Sequence, residues 1–277
     1  MGATEAFFRD KVVLVTGASS GIGEELSWQL GLIGARLTLA ARRKERLEAV
    51  AKRIAAAGTP RPAVVQCDVT RDGDLERAVV ESLSAFGKLD IAIANAGFGV
   101  VGSIKKLSVQ DYRRQFETNV FGVLRTICSA FPEIEKTKGN IVIIGSVAGW
   151  AATPGASPYA MSKFALRGLA NSITPELQAC GVKVTLISPG FVDSNIRRVN
   201  NEGKLNAKAG DPVPRWLMMS TEKAARQILR AVARGKREAI ITTHGKILVA
   251  MERFVPWLIR VAGKRMAAQA ESQYSNN

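Results

Sequence analysis

Residues 11–23, Lys-Val-Val-Leu-Val-Thr-Gly-Ala-Ser-Ser-Gly-Ile-Gly, constrain this chain more than any other stretch. The aliphatic run Val12 to Val15 shows no polar alternation, the pattern of a strand covered on both faces. Gly17, Gly21 and Gly23 follow, and from Glu24 to Leu32 the apolar residues recur at helical spacing. In a strand, glycine turn and helix, backbone N–H groups and the helix N-terminus can face a pyrophosphate, with glycines where a side chain would block the approach. The spacing is not G-x-G-x-x-G and lacks the Gly-Lys-Ser/Thr of a P-loop. Alone, the stretch fits either a nucleotide site or a structural turn.

The same alternation continues along the chain. Strands are predicted at Val12 to Thr16, Arg36 to Ala40, Pro62 to Cys67, Ile91 to Asn95, Gly139 to Gly145, Lys183 to Ser188 and Ala239 to Thr243. Between them, helices are predicted over Lys44 to Ala57, Asp72 to Phe86, Ser108 to Phe131 and Tyr159 to Cys180. The expected fold is α/β, a doubly wound parallel sheet in one domain, because 277 residues can bury one large core and no linker, repeat or low-complexity tract divides them. Ligands of such sheets lie beyond the carboxyl ends of the strands, where Gly17, Asn95, Ser146 and Pro189 all fall.

Tyr159 and Lys163 supply a chemical reason for that edge. A free phenol has a pKa of about 10 and exchanges protons poorly at neutral pH unless a cation stabilises the phenolate. On a helix, residues four apart share a face with Cβ atoms about 5–6 Å from each other, so the Lys163 ammonium can reach the Tyr159 phenol. Taken alone such a pair also fits a half-buried ring beside a solvated ammonium.

Thr16-Gly17-Ala18-Ser19-Ser20-Gly21-Ile22-Gly23, Asn95-Ala96-Gly97, Asn119, Ser146, Tyr159 with Lys163, and Pro189-Gly190 stand in the order seen in short-chain dehydrogenases/reductases, and the chain resembles that family over about residues 8 to 245. The resemblance implies a Rossmann-type domain over residues 1–245 and hydride transfer between a nicotinamide and a carbonyl carbon. Tyr159 is the expected general acid for reduction and, as phenolate, the base for the reverse. Lys163 lowers the phenol pKa and holds the nicotinamide ribose, Ser146 bonds the substrate oxygen, and Asn119 resembles the helix Asn that holds a relay water. The cofactor is expected on Gly17, Ser19, Ser20, Gly21, Ile22, Gly23, Arg42, Asp68, Val69, Asn95, Ala96, Gly97, Tyr159, Lys163, Pro189, Gly190, Val192 and Ser194. Asp68-Val69 resembles the adenine contact and Asn95-Ala96-Gly97 holds the backbone near the cofactor; both also fit turn stabilisation.

The second strand ends Leu39-Ala40-Ala41-Arg42-Arg43. Ala41 stands where relatives that use NAD carry Asp, and a guanidinium at Arg42 suits a 2′-phosphate that a carboxylate would repel. NADP(H) is therefore the expected cofactor; Arg42 and Arg43 also fit solvated charges opening a helix, Arg43 above all. The segment at about 191–220 breaks the apolar periodicity where the family carries its substrate lid. Trp216, Leu217, Met218 and Met219 there suggest a greasy pocket or a lid packed on the core. The expected activity is NADPH-dependent reduction of a hydrophobic ketone or aldehyde, lipid- or steroid-like. The alternatives are an NADP-linked alcohol dehydrogenase working oxidatively and a non-catalytic nucleotide-sensing or membrane-scaffold protein.

The formal net charge is +15, and residues 197–277 hold 16 Lys and Arg against 6 Asp and Glu, which places ten of those charges there. Residues 246–266 mix Lys and Arg with aromatics and aliphatics, interrupted too often for a membrane span. Residues 246–277 are expected to form a basic amphipathic helical extension resting on anionic lipid, or to pack on another subunit or the core. No recognition motif supports nucleic acid binding, and no metal site is visible. Cys67, Cys128 and Cys180 read as buried thiols of a reducing compartment rather than disulfides. His244, the only histidine, has no nucleophile motif near it and reads as a loop residue after the last strand, with a place at the substrate mouth as the alternative. Residues 1–10 carry Glu5 and no long apolar core, so they do not read as a signal peptide. The expected location is the cytoplasm, with peripheral membrane contact, and the family analogy implies a homo-oligomer.

Overall fold

The chain is described here by a computed structural model covering residues 2–194, 196, 201–202 and 213–264. Seven strands form one parallel sheet: β1 (Val12–Thr16), β2 (Arg36–Ala41), β3 (Ala63–Gln66), β4 (Ile91–Ala94), β5 (Asn140–Ile144), β6 (Lys183–Ser188) and β7 (Glu238–Ile240), in the order β3-β2-β1-β4-β5-β6-β7. The order reverses between β1 and β4, and a cleft opens at such a switch point beyond the strand ends.

The continuous apolar runs are explained by two cores. Alternate residues of β1 point to opposite faces, so Val13 and Val15 join one cluster while Val12 and Leu14 join the other. The first face is covered by α1 (Ala3–Phe8), α2 (Gly21–Leu32), α3 (Lys44–Ala56) and α8 (Thr221–Ala233), through side chains such as Phe8, Leu30, Ile54 and Ile228. The second is covered by α4 (Asp74–Phe86), α6 (Gly122–Thr137) and α7 (Ser157–Ala179), through Leu75, Ile127, Ile134 and Leu166.

Three expectations change. The helix predicted over Ser108 to Phe131 is α5 (Val109–Phe116), a π-helical turn at Glu117–Phe121, and then α6, which runs on to Thr137. The last strand ends at Ile240 because the buried Thr242 caps α9 (Thr243–Phe254), its hydroxyl accepting from Gly245 N at 3.2 Å. Consequently His244 lies in the first turn of a helix, not in a loop, and a domain boundary at residue 245 would fall inside α9. The third change concerns the thiols: all three are free, but only Cys67 is buried, Cys128 being exposed on α6 and Cys180 half-buried at the end of α7. Residues 256–264 are helical as well, while residues 265–277 of the expected extension lie outside the described residues.

Candidate active site

The glycine turn is built by close approach. Gly17 has φ +67°, and a Cβ there would sit 2.9 Å from Ala96 Cα and 2.9 Å from Asn95 Nδ2. At Gly23 a Cβ would collide with Asn95 Nδ2 and the Gly17 carbonyl. Asn95 is the clamp behind both: its Nδ2 donates to Thr16 O at 2.9 Å and Gly17 O at 3.3 Å. Thr16 Oγ1 in turn accepts from the amides of Asn95 and Ala96 at 3.1 and 3.2 Å. The side chain of Asn95 thus fixes the turn. Ser20 occupies the N-cap of α2 without a side-chain cap bond, so the first amides of the helix, which have no intrahelical acceptor, stay turned toward the cleft. Ile22 packs on the core below and Ser19 is buried.

At the end of β2 the chain presents Arg42 and Arg43. The Arg43 guanidinium reaches back over the turn, donating at 3.0 Å to both Ser19 Oγ and Ser20 Oγ. Burial, then the charges of Arg46 and Arg42, lower its pKa, with Glu24 opposing them in part. Read from the sequence Arg43 fits a solvated charge, whereas the structure places its guanidinium on two serine hydroxyls of the turn. Arg42 lines a cavity of about 380 Å³ with Asp68, Phe98, Arg113, Glu117 and Thr118. Asp68 is half engaged in its own turn, its Oδ1 accepting from Thr70 N at 3.0 Å and Thr70 Oγ1 at 2.8 Å. Val69 is buried against Gly122, where a Cβ would sit 2.6 Å from Val69 Cγ2.

Asn119 sits in the π-helical turn, a helix irregularity frequent at functional sites. Its amide exchanges two bonds with Phe98, receiving from N at 3.1 Å and donating to O at 2.9 Å, which fixes the chain just past Gly97. It also donates to Ser162 Oγ at 3.2 Å, and that hydroxyl donates to Tyr159 O at 2.7 Å. Asn119 thereby couples the loop after β4 to the helix of Tyr159 and Lys163.

Lys163 is buried, its ammonium donating to Ile144 O at 2.9 Å and standing 5.7 Å from the Tyr159 ring centroid. Burial lowers its pKa to about 8, so at neutral pH it remains charged. The Tyr159 ring packs beside Gly99, where a Cβ would meet Cδ2 at 3.6 Å. Ser146 caps the short turn Val147–Gly149, its Oγ accepting from Ala148 N at 3.1 Å. A Cβ on Gly149 would lie 2.6 Å from Lys163 O, so this turn is pressed onto the backbone of α7 and brings Ser146 to the face carrying Tyr159 and Lys163.

The segment after β6 crosses the cleft. Pro189 O accepts from Val147 N at 2.9 Å, Gly190 lies where a Cβ would strike Thr242 Oγ1 and His244 Nε2, Val192 is buried, and Ser194 Cβ would stand 3.3 Å from a Cβ on Gly21. Residues 189–194 thus run from the Ser146 turn to the glycine turn. The apolar cluster expected at 216–219 is split: Trp216 is 83% exposed, whereas Met219 packs on the core and pairs with Val192. Asn201 bonds both polar groups of Val101, and residues 195, 197–200 and 203–212 of the expected lid lie outside the described residues.

The glycine turn, the N-terminus of α2 and the turn of Ser146 all follow strand ends of the one sheet, the edge where ligands of such folds lie. Residues 11–205 match the short chain dehydrogenase family profile, and the chain belongs to the short-chain dehydrogenase/reductase family, oxidoreductases of alcohols and carbonyls. It is 34% identical over 256 residues to "11-beta-hydroxysteroid dehydrogenase-like 4A" of Arabidopsis thaliana, covering 92% of this chain and 84% of that protein. An alcohol dehydrogenase from the archaeon Thermococcus sibiricus, solved with 5-hydroxy-NADP, superposes with TM-score 0.71 at 26% identity, covering 84% of this chain and 96% of that one. A Burkholderia phymatum relative solved with NAD shares the fold at TM-score 0.81 and 24% identity, over 91% of this chain and 95% of that one.

Proposed function

We propose that the protein is an NADPH-dependent carbonyl reductase acting on a hydrophobic ketone or aldehyde. The observation that carries the cofactor choice is Arg43 bridging Ser19 and Ser20 beside Arg42, at a strand end where Ala41 stands in place of a carboxylate. The glycine turn at the N-terminus of α2, with the Arg43 guanidinium over it, offers cationic and backbone donors of the kind a pyrophosphate takes, so the residues present fit the group. When bound, the dinucleotide supplies the hydride. Tyr159 donates the proton that the developing alkoxide takes up, and the Lys163 charge stabilises the phenolate left behind. Ser146 Oγ donates to the substrate oxygen, while Asn119 keeps the Phe98 loop and α7 in register. A relative named for hydroxysteroids favours a steroid-like or lipid-like substrate.

The extension is read as a lipid-facing element. Phe254 and Trp257 are 75% and 60% exposed, with Ile247, Leu258 and Val261 also outward, among Lys246, Arg253, Arg260 and Lys264. Such a face complements an anionic bilayer. A Cβ on Gly263 would lie 4.0 Å from Pro154, in the loop leading to Tyr159, so the face borders the substrate mouth. Self-association is proposed through exposed Phe121 of the π-helical turn and Leu124 of α6 with Met161 and Phe164 of α7; sedimentation would give its stoichiometry.

The cofactor reading is tested by fluorescence titration with NADPH and NADH. Wild type is expected to prefer NADPH, and Arg42→Ala or Arg43→Ala to lose about tenfold to a hundredfold in NADPH affinity while leaving NADH unchanged, the scale of charged hydrogen bonds. Equal affinities unaffected by either substitution would contradict it.

A further inference from the structure

His244 is the only imidazole in the chain and stands outside the catalytic set. Its Nε2 accepts the Phe191 N–H at 2.8 Å, and its ring stacks on the Phe191 ring with centroids 5.3 Å apart and planes 21° from parallel. Because a backbone N–H can only donate, the bond assigns the lone pair to Nε2 and the proton of the neutral ring to Nδ1. The Phe191 carbonyl is taken by Met219 N at 2.9 Å, and Met219 O takes Asp193 N at 2.9 Å. Phe191 therefore has both backbone groups tied, one of them to a side chain from a helix formed more than fifty residues later.

That helix is itself locked to the catalytic edge. A Cβ on Gly245 would lie 2.5 Å from Thr242 Oγ1 and 2.7 Å from Val147 Cγ1, so the first turn of α9 is seated against the residue after Ser146. Gly190 has no room for a side chain because Thr242 and His244 occupy the space. The line from Ser146 through Val147, Gly245 and His244 to Phe191 ends one residue before Val192, on the segment that crosses from the Ser146 turn to the glycine turn.

We propose that His244 is a positioning residue for hydride transfer: by holding the Phe191 amide it sets residues 189–194 against the nicotinamide end of the bound dinucleotide. This rests on the reading of residues 189–194 as part of the cofactor site. Burial lowers the imidazole pKa, which keeps the accepting lone pair in place at neutral pH. Thr242 and Gly245 hold the helix, so the contribution of His244 is confined to one hydrogen bond and one ring contact.

The test compares wild type, His244→Ala and His244→Gln for binding of NADPH and of 2′-phospho-ADP-ribose, which lacks the nicotinamide. The amide oxygen of Gln can replace Nε2 as acceptor. His244→Ala is expected to weaken NADPH about threefold to tenfold, the worth of one hydrogen bond, without changing affinity for the fragment, and His244→Gln to restore most of the loss. A loss shared equally by both ligands, or an Ala variant that binds NADPH like wild type, would overturn the assignment. If wild type binds neither ligand, the cofactor reading itself fails and takes this one with it.

Discussion

Lys163 carries the sharpest consequence of burial at the residue scale. Its ammonium lies inside the protein with Ile144 O as hydrogen-bond acceptor, and desolvation brings its pKa down to about 8 from an ordinary 10.5. Between those values the unfolded chain holds the proton and the folded one releases it, so folding stability gains with rising pH and loses that gain as pH falls through about 8. Urea unfolding from pH 8 to 10 is expected to show wild type gaining stability relative to Lys163→Met; a constant difference would contradict the buried charge. The pairing of Tyr159 with Lys163 could be proposed from the sequence because a four-residue spacing on a helix has a chemical reason, whereas Ser146 was named only through the resemblance. The contacts of Arg43 and His244 were not legible: which acceptor a guanidinium or a backbone amide finds depends on tertiary geometry. The Asn95 amide likewise looked equally suited to cofactor and turn until its two carbonyl partners, Thr16 and Gly17, were seen.

At the scale of elements, the strands were readable because both faces of the sheet are covered and each run stays apolar. The ends were less so. Ala239 to Thr243 looked like one strand, but Thr242 is a better helix cap than strand residue, and its hydroxyl turns the chain into α9. The π turn between α5 and α6 was not read from the sequence, because the helix runs on through it and a shift of phase by one residue is hard to see in a pattern only a few turns long. For α9 and the helix at 256–264, outward aromatics among cations predict binding to vesicles containing phosphatidylserine. The binding should weaken with salt and fall about tenfold or more in the double variant Phe254→Ser, Trp257→Ser, from lost apolar burial. Equal partitioning to neutral and anionic vesicles, or none to either, would contradict the lipid-facing reading. No helix of the described residues is long and apolar enough to cross a membrane.

For the molecule as a whole, the parallel sheet with its reversal between β1 and β4 gathers residues far apart in sequence at one edge. Gly17, Asn95, Ser146 and Pro189 follow four different strands, which is why their order along the chain revealed the fold and its active edge together. The substrate could not be read in the same way, because no motif in the sequence specifies the shape of a pocket. The central claim is carbonyl reduction by Tyr159, and the measurement that bears on it most directly is NADPH oxidation by wild type and Tyr159→Phe across a panel of hydrophobic ketones, with product identified. Wild type should form the alcohol and the variant should lose about a hundredfold or more in kcat while binding NADPH within a few-fold of wild type; equal turnover by the two proteins would contradict the assignment of Tyr159 as the proton donor.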